Sequence, residues 1–475
     1  MNDTPLWTID QFAKAMSARV DGAAPAAVTG ISIDTRSLAS GDAFFAIRGE
    51  TRDGHDFVNA AQQSGAAICI VDETHAEALK GSGPLAVVPD VLRAMEQLGM
   101  ARRAELQAHI AAITGSVGKT GTKEALRLVL SRQGKTHAPI ASYNNHWGVP
   151  LTLSRTPRDV DYAVYEIGMS NPGEIAPLAR MVAPDVAIIT TVQPVHLASF
   201  PSVDAIADEK AAIFDGLKPG GIAIINADIP QTQRLKAHAM ASKAARIVTF
   251  GESPDADARL ISCKLNAELS VVSAQICGMD VVYKIGSPGK HIVMNSLAVL
   301  AAAKMLGADL ALSALDLTDL KPPTGRGARQ SLHAPGGMIT LIDESYNANP
   351  ASVRAALENL GRMNVSGRGR RIAVLGDMLE LGPTGPDLHS ALAKFILMQK
   401  VDLVFLCGPL MKNLYDALPS DCRGAYAASA ASLEAHVLEA MRAGDVVTVK
   451  GSLGSKMGPL VKAIMGRYPE MTGDV

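Results

Sequence analysis

Residues 111–126 read AAITGSVGKTGTKEAL. A short apolar run stops at a glycine turn, Lys119 and Thr120 follow, and a helix-forming sequence begins. Strand, glycine turn and helix in that order aim successive backbone N–H groups, and the positive end of the helix dipole, at one point. That is how a chain cradles phosphate. The turn residues Gly115, Ser116, Val117 and Gly118 would supply the N–H groups. Lys119 would reach the outer phosphates of a nucleotide, and the Thr120 hydroxyl would ligate Mg²⁺. The spacing is tighter than the common G-x-x-x-x-G-K-[ST], which would need its first glycine at position 113, where this chain has Ile113.

The apolar run HIAAIT that feeds this turn is the first of a series. DYAVYEIG, DVAIITTV, GGIAIINAD and RIVTFG are nearly continuous in apolar residues, and helical segments lie between them. Strands covered on both faces must read this way, so the spacing predicts a doubly wound, mostly parallel sheet over residues 89–320. KLNAELSVVSAQICGMDVVYKIG alternates like a hairpin and is expected to form an antiparallel appendage. Residues 1–88 hold short strands and one helical stretch, the pattern of a small mixed αβ domain. DLKPPTGRGAR (319–329) is a Pro/Gly-rich linker, after which αβ alternation restarts as a Rossmann-like domain over 321–475. The expected fold class is therefore α/β in three domains.

At 475 residues the chain exceeds a single ordinary core, which agrees with that division. A net charge of −2, with no basic run, gives no reason to expect a nucleic acid partner. Cys69, Cys263, Cys277, Cys407 and Cys422 are scattered and form no C-x-x-C pair, so reduced thiols and a cytoplasmic location are expected. The N-terminus, MNDTPLWTIDQFAKAM, lacks the basic-then-apolar order of a signal peptide. SLAVLAAAKMLGADLAL is interrupted by Lys304 and Asp309, which makes it a buried helix and not a membrane span.

Three further residues invite chemistry. Glu166, in YEIGMSNPGEI, stands at the carboxyl end of a strand, the edge where open αβ sheets bind ligands. A buried ion pair is one reading, and a metal-facing carboxylate is favoured. His196, in TTVQPVHLASF, reads by itself as a loop residue. Lys210, beside Asp208 and Glu209 in ADEKAAIF, reads by itself as part of a solvated helix face.

Taken together these segments acquire an order. TGSVGKT, YNNHWGVP, YEIGMSNPGEI, HLASF with DEKAAIF, GKHIVMNSLAVLAA, GR and DESYNANP succeed one another as they do in the Mur ligases, and the chain resembles that family over essentially its whole length. The resemblance implies an ATP-dependent amide ligase of peptidoglycan synthesis, working through an acyl phosphate. The short T-G-x-x-G-K-T loop is the family's form. Lys119 and Thr120 would grip ATP and a first Mg²⁺ with Glu166, while His196 and Lys210 would serve a second Mg²⁺, with Lys210 carbamylated. Asn295 matches the residue that meets adenine, with His291 near the ring; Arg326 matches an arginine reaching the phosphates, and Asp343 a ribose contact. Asn144 and Asn145 match an asparagine pair on the substrate side.

DTRSLASGDAFFAIRGETRDGHDF resembles the UDP-binding domain of the family's two later ligases, which points to Asp34, Thr35 and Arg36. No D-N-P-R-type motif occurs. DESYNANP and AVLGDMLELG resemble the branch that adds D-alanyl-D-alanine, with Tyr346, Asn347 and Asn349 on the third-domain side. Implied partners are UDP-MurNAc-tripeptide and D-Ala-D-Ala, bound by a monomer. Two positions depart from the pattern: Ala198, where an acidic or bulkier residue is common, and Leu453, where arginine is usual. Two other readings compete. A folylpolyglutamate synthase would lack the N-terminal block, and a P-loop ATPase switch would want an acidic residue at the end of a strand, where DVAIITTV ends without one. Two-sided binding also predicts domain closure about a hinge near residues 319–325.

Overall fold

The central sheet runs Met279–Ile285, Ser270–Ile276, Ala258–Leu265, Ala244–Gly251, Gly221–Asn226, Val186–Ile189, His109–Thr114, Tyr162–Glu166, Thr136–His137 in spatial order. The computed structural model that shows this describes residues 5–49, 51–266, 268–365 and 367–470. Ile110, Ala111, Ala112 and Ile113 are all fully buried, because helices cover both faces. Lys119–Ser131 and Lys290–Met305 pack on one face through Leu126, Val129, Leu297 and Leu300. Ile175–Val182 and Val203–Ala211 pack on the other, through Leu178, Val182, Ile206 and Ala207. Each such large side chain taken from water contributes about 1.5–3 kcal/mol. His109–Thr114 is flanked by Tyr162–Glu166 on one side and Val186–Ile189 on the other. The chain thus leaves the first strand in opposite directions, and the carboxyl ends part to open a crevice.

The hairpin-like stretch is not an appendage. Ala258–Leu265 pairs parallel to Ala244–Gly251, and the next two strands add antiparallel, prolonging the same sheet. The reason is cover: Val272, Ala274, Ile276, Tyr283 and Ile285 alternate onto one face and are buried in the cluster that includes the Lys290–Met305 helix.

The N-terminal lobe holds a five-stranded sheet, ordered Arg19–Asp21, Leu85–Val88, Ile68–Asp72, Asp42–Phe45, Gly30–Ser32. Helix Val91–Glu105 buries Val91, Ala94, Met95 and Leu98 in its core, and Leu151 of the central lobe joins them. Trp7 Nε1 donates to Ser154 O (2.9 Å) and Arg155 Nε to Ile31 O (2.7 Å), which ties this lobe to the central one.

The third lobe holds a six-stranded sheet, ordered Ala328–Ala334, Gly337–Glu344, Val446–Lys450, Arg371–Gly376, Leu403–Cys407, Arg423–Ala427. Only its first strand is antiparallel to its neighbour. The Pro/Gly linker gives way to that strand at Ala328. All five cysteines are free, and among the described residues no helix is long and apolar enough to cross a membrane.

Candidate active site

The glycine turn stands at the head of the crevice. Gly115 has φ +149°, and a Cβ there would lie 1.9 Å from Thr190 Oγ1; Gly118 has φ +90°, and a Cβ there would lie 2.6 Å from Asn295 Nδ2. No side chain fits either place, so the loop's backbone is pressed between the end of Val186–Ile189 and the helix carrying Asn295. Thr190 Oγ1 donates to Val117 O (2.6 Å), and the Ser116 hydroxyl accepts from Gln193 N (2.9 Å). The cradle is held rigid from outside.

Lys119 Nζ donates to Gly115 O (2.7 Å). Burial lowers its pKa below the ordinary lysine value; the charge of Glu166 opposes this, and that of Arg326 adds to it. Thr120 Oγ1 donates to Glu166 Oε2 (2.9 Å), and Asn144 Nδ2 donates to Glu166 Oε1 (2.7 Å). Glu166 is 1% exposed. The Glu166 carboxyl, met by a hydroxyl and an amide, forms with the Thr120 oxygen a hard oxygen donor set suited to Mg²⁺.

Lys210 corrects its first reading: it is 1% exposed, not part of a solvated face. Among the described residues its Nζ has no hydrogen-bond acceptor. Burial, and after it the charge of Lys119, push its pKa well below the ordinary value, against the pull of Glu209. Its two acidic neighbours are spent elsewhere. Asp208 pairs with Arg234 (2.9 Å) and His238 (3.0 Å), while Glu209 accepts from Gly173 N (2.7 Å) and Ile175 N (2.8 Å), at the start of helix Ile175–Val182. As an ammonium, Lys210 does not suit a cation site; as a carbamate it would.

His196 adopts φ +54°, and its Nδ1 lies 2.5 Å from Glu380 Oε2 of the third lobe. The Arg326 guanidinium stacks 4.1 Å over the Tyr346 ring. Asp343 is buried, and its Oδ1 accepts from Ser345 N (3.0 Å). His291 lies in the first turn of the Asn295 helix, in the field of Glu344 and Lys450.

The structure therefore brings Lys119, Thr120, Glu166, Asn144, Asn295 and Lys210 together on the central lobe, with Arg326 in their field. Asp34, Thr35 and Arg36 stay on the N-terminal lobe, where Arg36 pairs with Asp34 at 2.6 Å. Arg155 links the preceding strand, Gly30–Ser32, to the Tyr143 ring, beside Asn144. Several amides are committed to backbone. Asn145 Oδ1 accepts from Gly148 N (2.9 Å), Asn347 Oδ1 from Ala348 N (2.8 Å), and Asn349 caps helix Pro350–Gly361 in a capping box.

Comparison with known proteins decides the family. Three family models match the chain: the Mur ligase family catalytic domain over residues 27–106, the Mur ligase middle domain over 113–303, and the Mur ligase glutamate ligase domain over 329–453. The UDP-N-acetylmuramoyl-tripeptide--D-alanyl-D-alanine ligase of Bacillus subtilis (strain 168) is 33% identical over 92% of this chain and 93% of its own. That of Escherichia coli (strain K12) is 31% identical over 96% and 98%. The chain belongs to the Mur ligase family. Among solved structures, a MurF from Acinetobacter baumannii superposes with a TM-score of 0.83 at 28% identity, over 97% of this chain and 99% of that one.

Within this Mur ligase the two departures have visible settings. Ala198 is exposed and lies against Gly382 of the third lobe, so its small size lets the lobes approach there. Leu453 is 67% exposed. Sequence reasoning missed Glu380, Glu209 and Ser142, whose hydroxyl lies 3.2 Å from that of Thr120. It also missed a group on the N-terminal lobe, Asp53, His55 and His75. The two imidazoles stack at 4.0 Å and 13°. Nearly parallel rings point their lone pairs side by side, and His55 already bonds Asp53 (2.6 Å) and Asp72 N (3.1 Å), so the group reads as a clamp and not a metal centre.

Proposed function

We propose that this chain joins D-alanyl-D-alanine to UDP-N-acetylmuramoyl-tripeptide at the expense of ATP, as a monomer in the cytoplasm. The observation that carries the reading is a pair of buried lysines at the head of one crevice, Lys119 beside Glu166 and Arg326, and Lys210, which feels the charge of Lys119. Such a pair is tolerable only around a strongly anionic guest. The likeness to the D-alanyl-D-alanine ligases through all three lobes names the reaction.

A carboxylate resists an amine because its leaving group is poor. Phosphorylation by ATP cures this by making an acyl phosphate, and the work left to the protein is positioning and charge stabilisation. The N–H groups of Val117, Gly118 and Lys119 cradle the phosphates, whereas that of Ser116 is spent on Thr191 O (2.9 Å). Lys119, swung from Gly115 O, and Arg326 neutralise the transferring phosphoryl group. Asn295 and His291 face the base, and Asp343 the ribose. Asn144 and Asn145 orient the acceptor carboxylate. Asp34, Thr35 and Arg36 on residues 1–88 hold the UDP end, and residues 321–475 present the dipeptide through Tyr346 and Asn347, with Asn349 fixing the helix behind them. The dipeptide amine attacks the acyl carbon, and phosphate leaves from the tetrahedral adduct.

Two Mg²⁺ ions would screen the phosphate charge, one held by Thr120 and Glu166 and one by His196 and Lys210. The lowered pKa of Lys210 supports its carbamylation, because only the neutral amine adds to CO₂. The test is an assay of ADP formation with each substrate omitted in turn. Ligation requires the tripeptide precursor, the dipeptide and ATP together; ADP formed at full rate from ATP alone would sink the proposal in favour of an ATPase switch.

A further inference from the structure

One contact between the central and third lobes has no place in the chemistry above. Glu380, in AVLGDMLELG, reaches His196 Nδ1 at 2.5 Å. Both residues hold left-handed backbone, Glu380 at φ +63° and His196 at φ +54°, conformations that side-chain-bearing residues adopt only when the surroundings enforce them. The two turns also touch through backbone: the Cβ position of Gly382 lies 3.8 Å from Ala198 N and from Leu197 O. Two strained turns, one from each lobe, thus meet face to face. Glu380 is 60% exposed and His196 25%, so the contact does not belong to either core.

A carboxylate can only accept, so the His196 proton sits on Nδ1 and donates to Glu380. In the neutral ring this leaves Nε2 with a free lone pair. Histidines that ligate metals are fixed in this manner, with the far nitrogen donating to a carboxylate that sets tautomer and ring orientation. Here the orienting carboxylate comes from another lobe.

We propose that Glu380 is a positioning residue that couples lobe closure to the cation pocket, by locking His196 in the Nδ1–H tautomer only when the third lobe is docked. The inference rests on the reading of His196 as a cation ligand. In the open molecule the His196 ring turns freely and the second cation is held weakly; on closure the ring is set and the pocket is complete. Phosphoryl transfer is thereby withheld until the lobe that delivers the amine has arrived.

The test uses the full-length, metal-free chain labelled with ¹⁵N-histidine, with His196→Gln serving to assign the ring signals. Glu380→Gly removes the carboxylate at a φ that suits glycine, and Glu380→Gln keeps an oxygen that can accept from Nδ1–H. The expected result is an Nδ1–H ring in the wild type and in Glu380→Gln. Glu380→Gly shifts towards the Nε2–H form that free imidazole prefers and has a larger radius of gyration by small-angle scattering. Its apparent Mg²⁺ requirement for ligation rises about tenfold. An unchanged tautomer and unchanged compaction in Glu380→Gly overturn the proposal. A changed tautomer and compaction with an unchanged Mg²⁺ requirement overturn it from the other side, by removing His196 from the cation pocket while leaving the ligase reading intact.

Discussion

The carboxyl edges of the two large sheets are built on opposite plans. On the central sheet, polar groups are left under-compensated. Among the described residues, Glu166 is buried without a cationic hydrogen bond, Lys210 is buried without an acceptor, and the Thr114 hydroxyl has no partner. At the carboxyl edge of the third sheet the charged groups are spent, although the Thr448 hydroxyl within it is also without a partner. Asp377 accepts from Met411 N (2.8 Å), and Lys450 donates to Glu344 (3.2 Å) and Asn347 O (2.9 Å). His389 accepts from Met378 N (3.0 Å) and also meets Gly385 O at 2.7 Å. Unpaired buried charge costs stability, so a chain retains it only where a ligand supplies the missing partner. The central edge is thus suited to take a charged ligand, whereas the charged groups of the third edge are already satisfied within the protein.

The strongest way to break this contrast is Lys210→Met. Ligation should fall by about 10³-fold or more, and in Lys210→Ala a short carboxylic acid should restore part of it. Activity that survives either change removes Lys210 from the site. In CO₂-free buffer Lys210→Met should also unfold later than the wild type, by about 1 kcal/mol, since it relieves a buried amine. The pH dependence has a definite sign. The unfolded chain protonates Lys210 more readily than the folded one, so the penalty is present at neutral pH and fades as pH rises towards the ordinary lysine value of 10.5. The stability gap between the two proteins should close over that range.

Asp445 probes the other plan. Its side chain is fully buried and pairs with Arg370 at 2.7 Å, at the far end of the third sheet. Asp445→Ala should cost about 3 kcal/mol in denaturant unfolding while kcat per folded molecule stays unchanged. Next comes Glu166→Gln, which keeps the shape but loses the charge; ligation should drop about 10²-fold with a raised Mg²⁺ requirement and little change in melting temperature. The smallest effect belongs to Asn349→Ala. Loss of the helix cap should cost about 1 kcal/mol of stability with the KM for D-Ala-D-Ala unchanged. A large rise in that KM would show that Asn349 touches the dipeptide itself and does more than cap the helix.

The parallel strands were legible because continuous apolar runs have few other uses, and the glycine turn because its backbone geometry excludes side chains. The fate of 258–285 was not: alternation announces a hairpin but not the edge on which it will dock. Lys210 was misread from its acidic neighbours, although the helix carried a signal. Ile206, Ala207, Lys210 and Ala211 share one face, and all four are buried. A lysine on an apolar face is the warning. The His196–Glu380 pair leaves no local trace, since its members lie 184 residues apart on different lobes.

Glu209 has a mechanical consequence. Its carboxylate grips the backbone at Gly173 and Ile175, just past the strand that ends in Glu166, while the next residue, Lys210, points into the crevice. Adjacent helical residues diverge by about 100°. One turn of helix thus keys two walls of the cleft at once, like a tenon cut with two shoulders. A single-residue deletion upstream in Val203–Ala211 would swing both out of register together, so this short helix should tolerate substitution far better than any change of length.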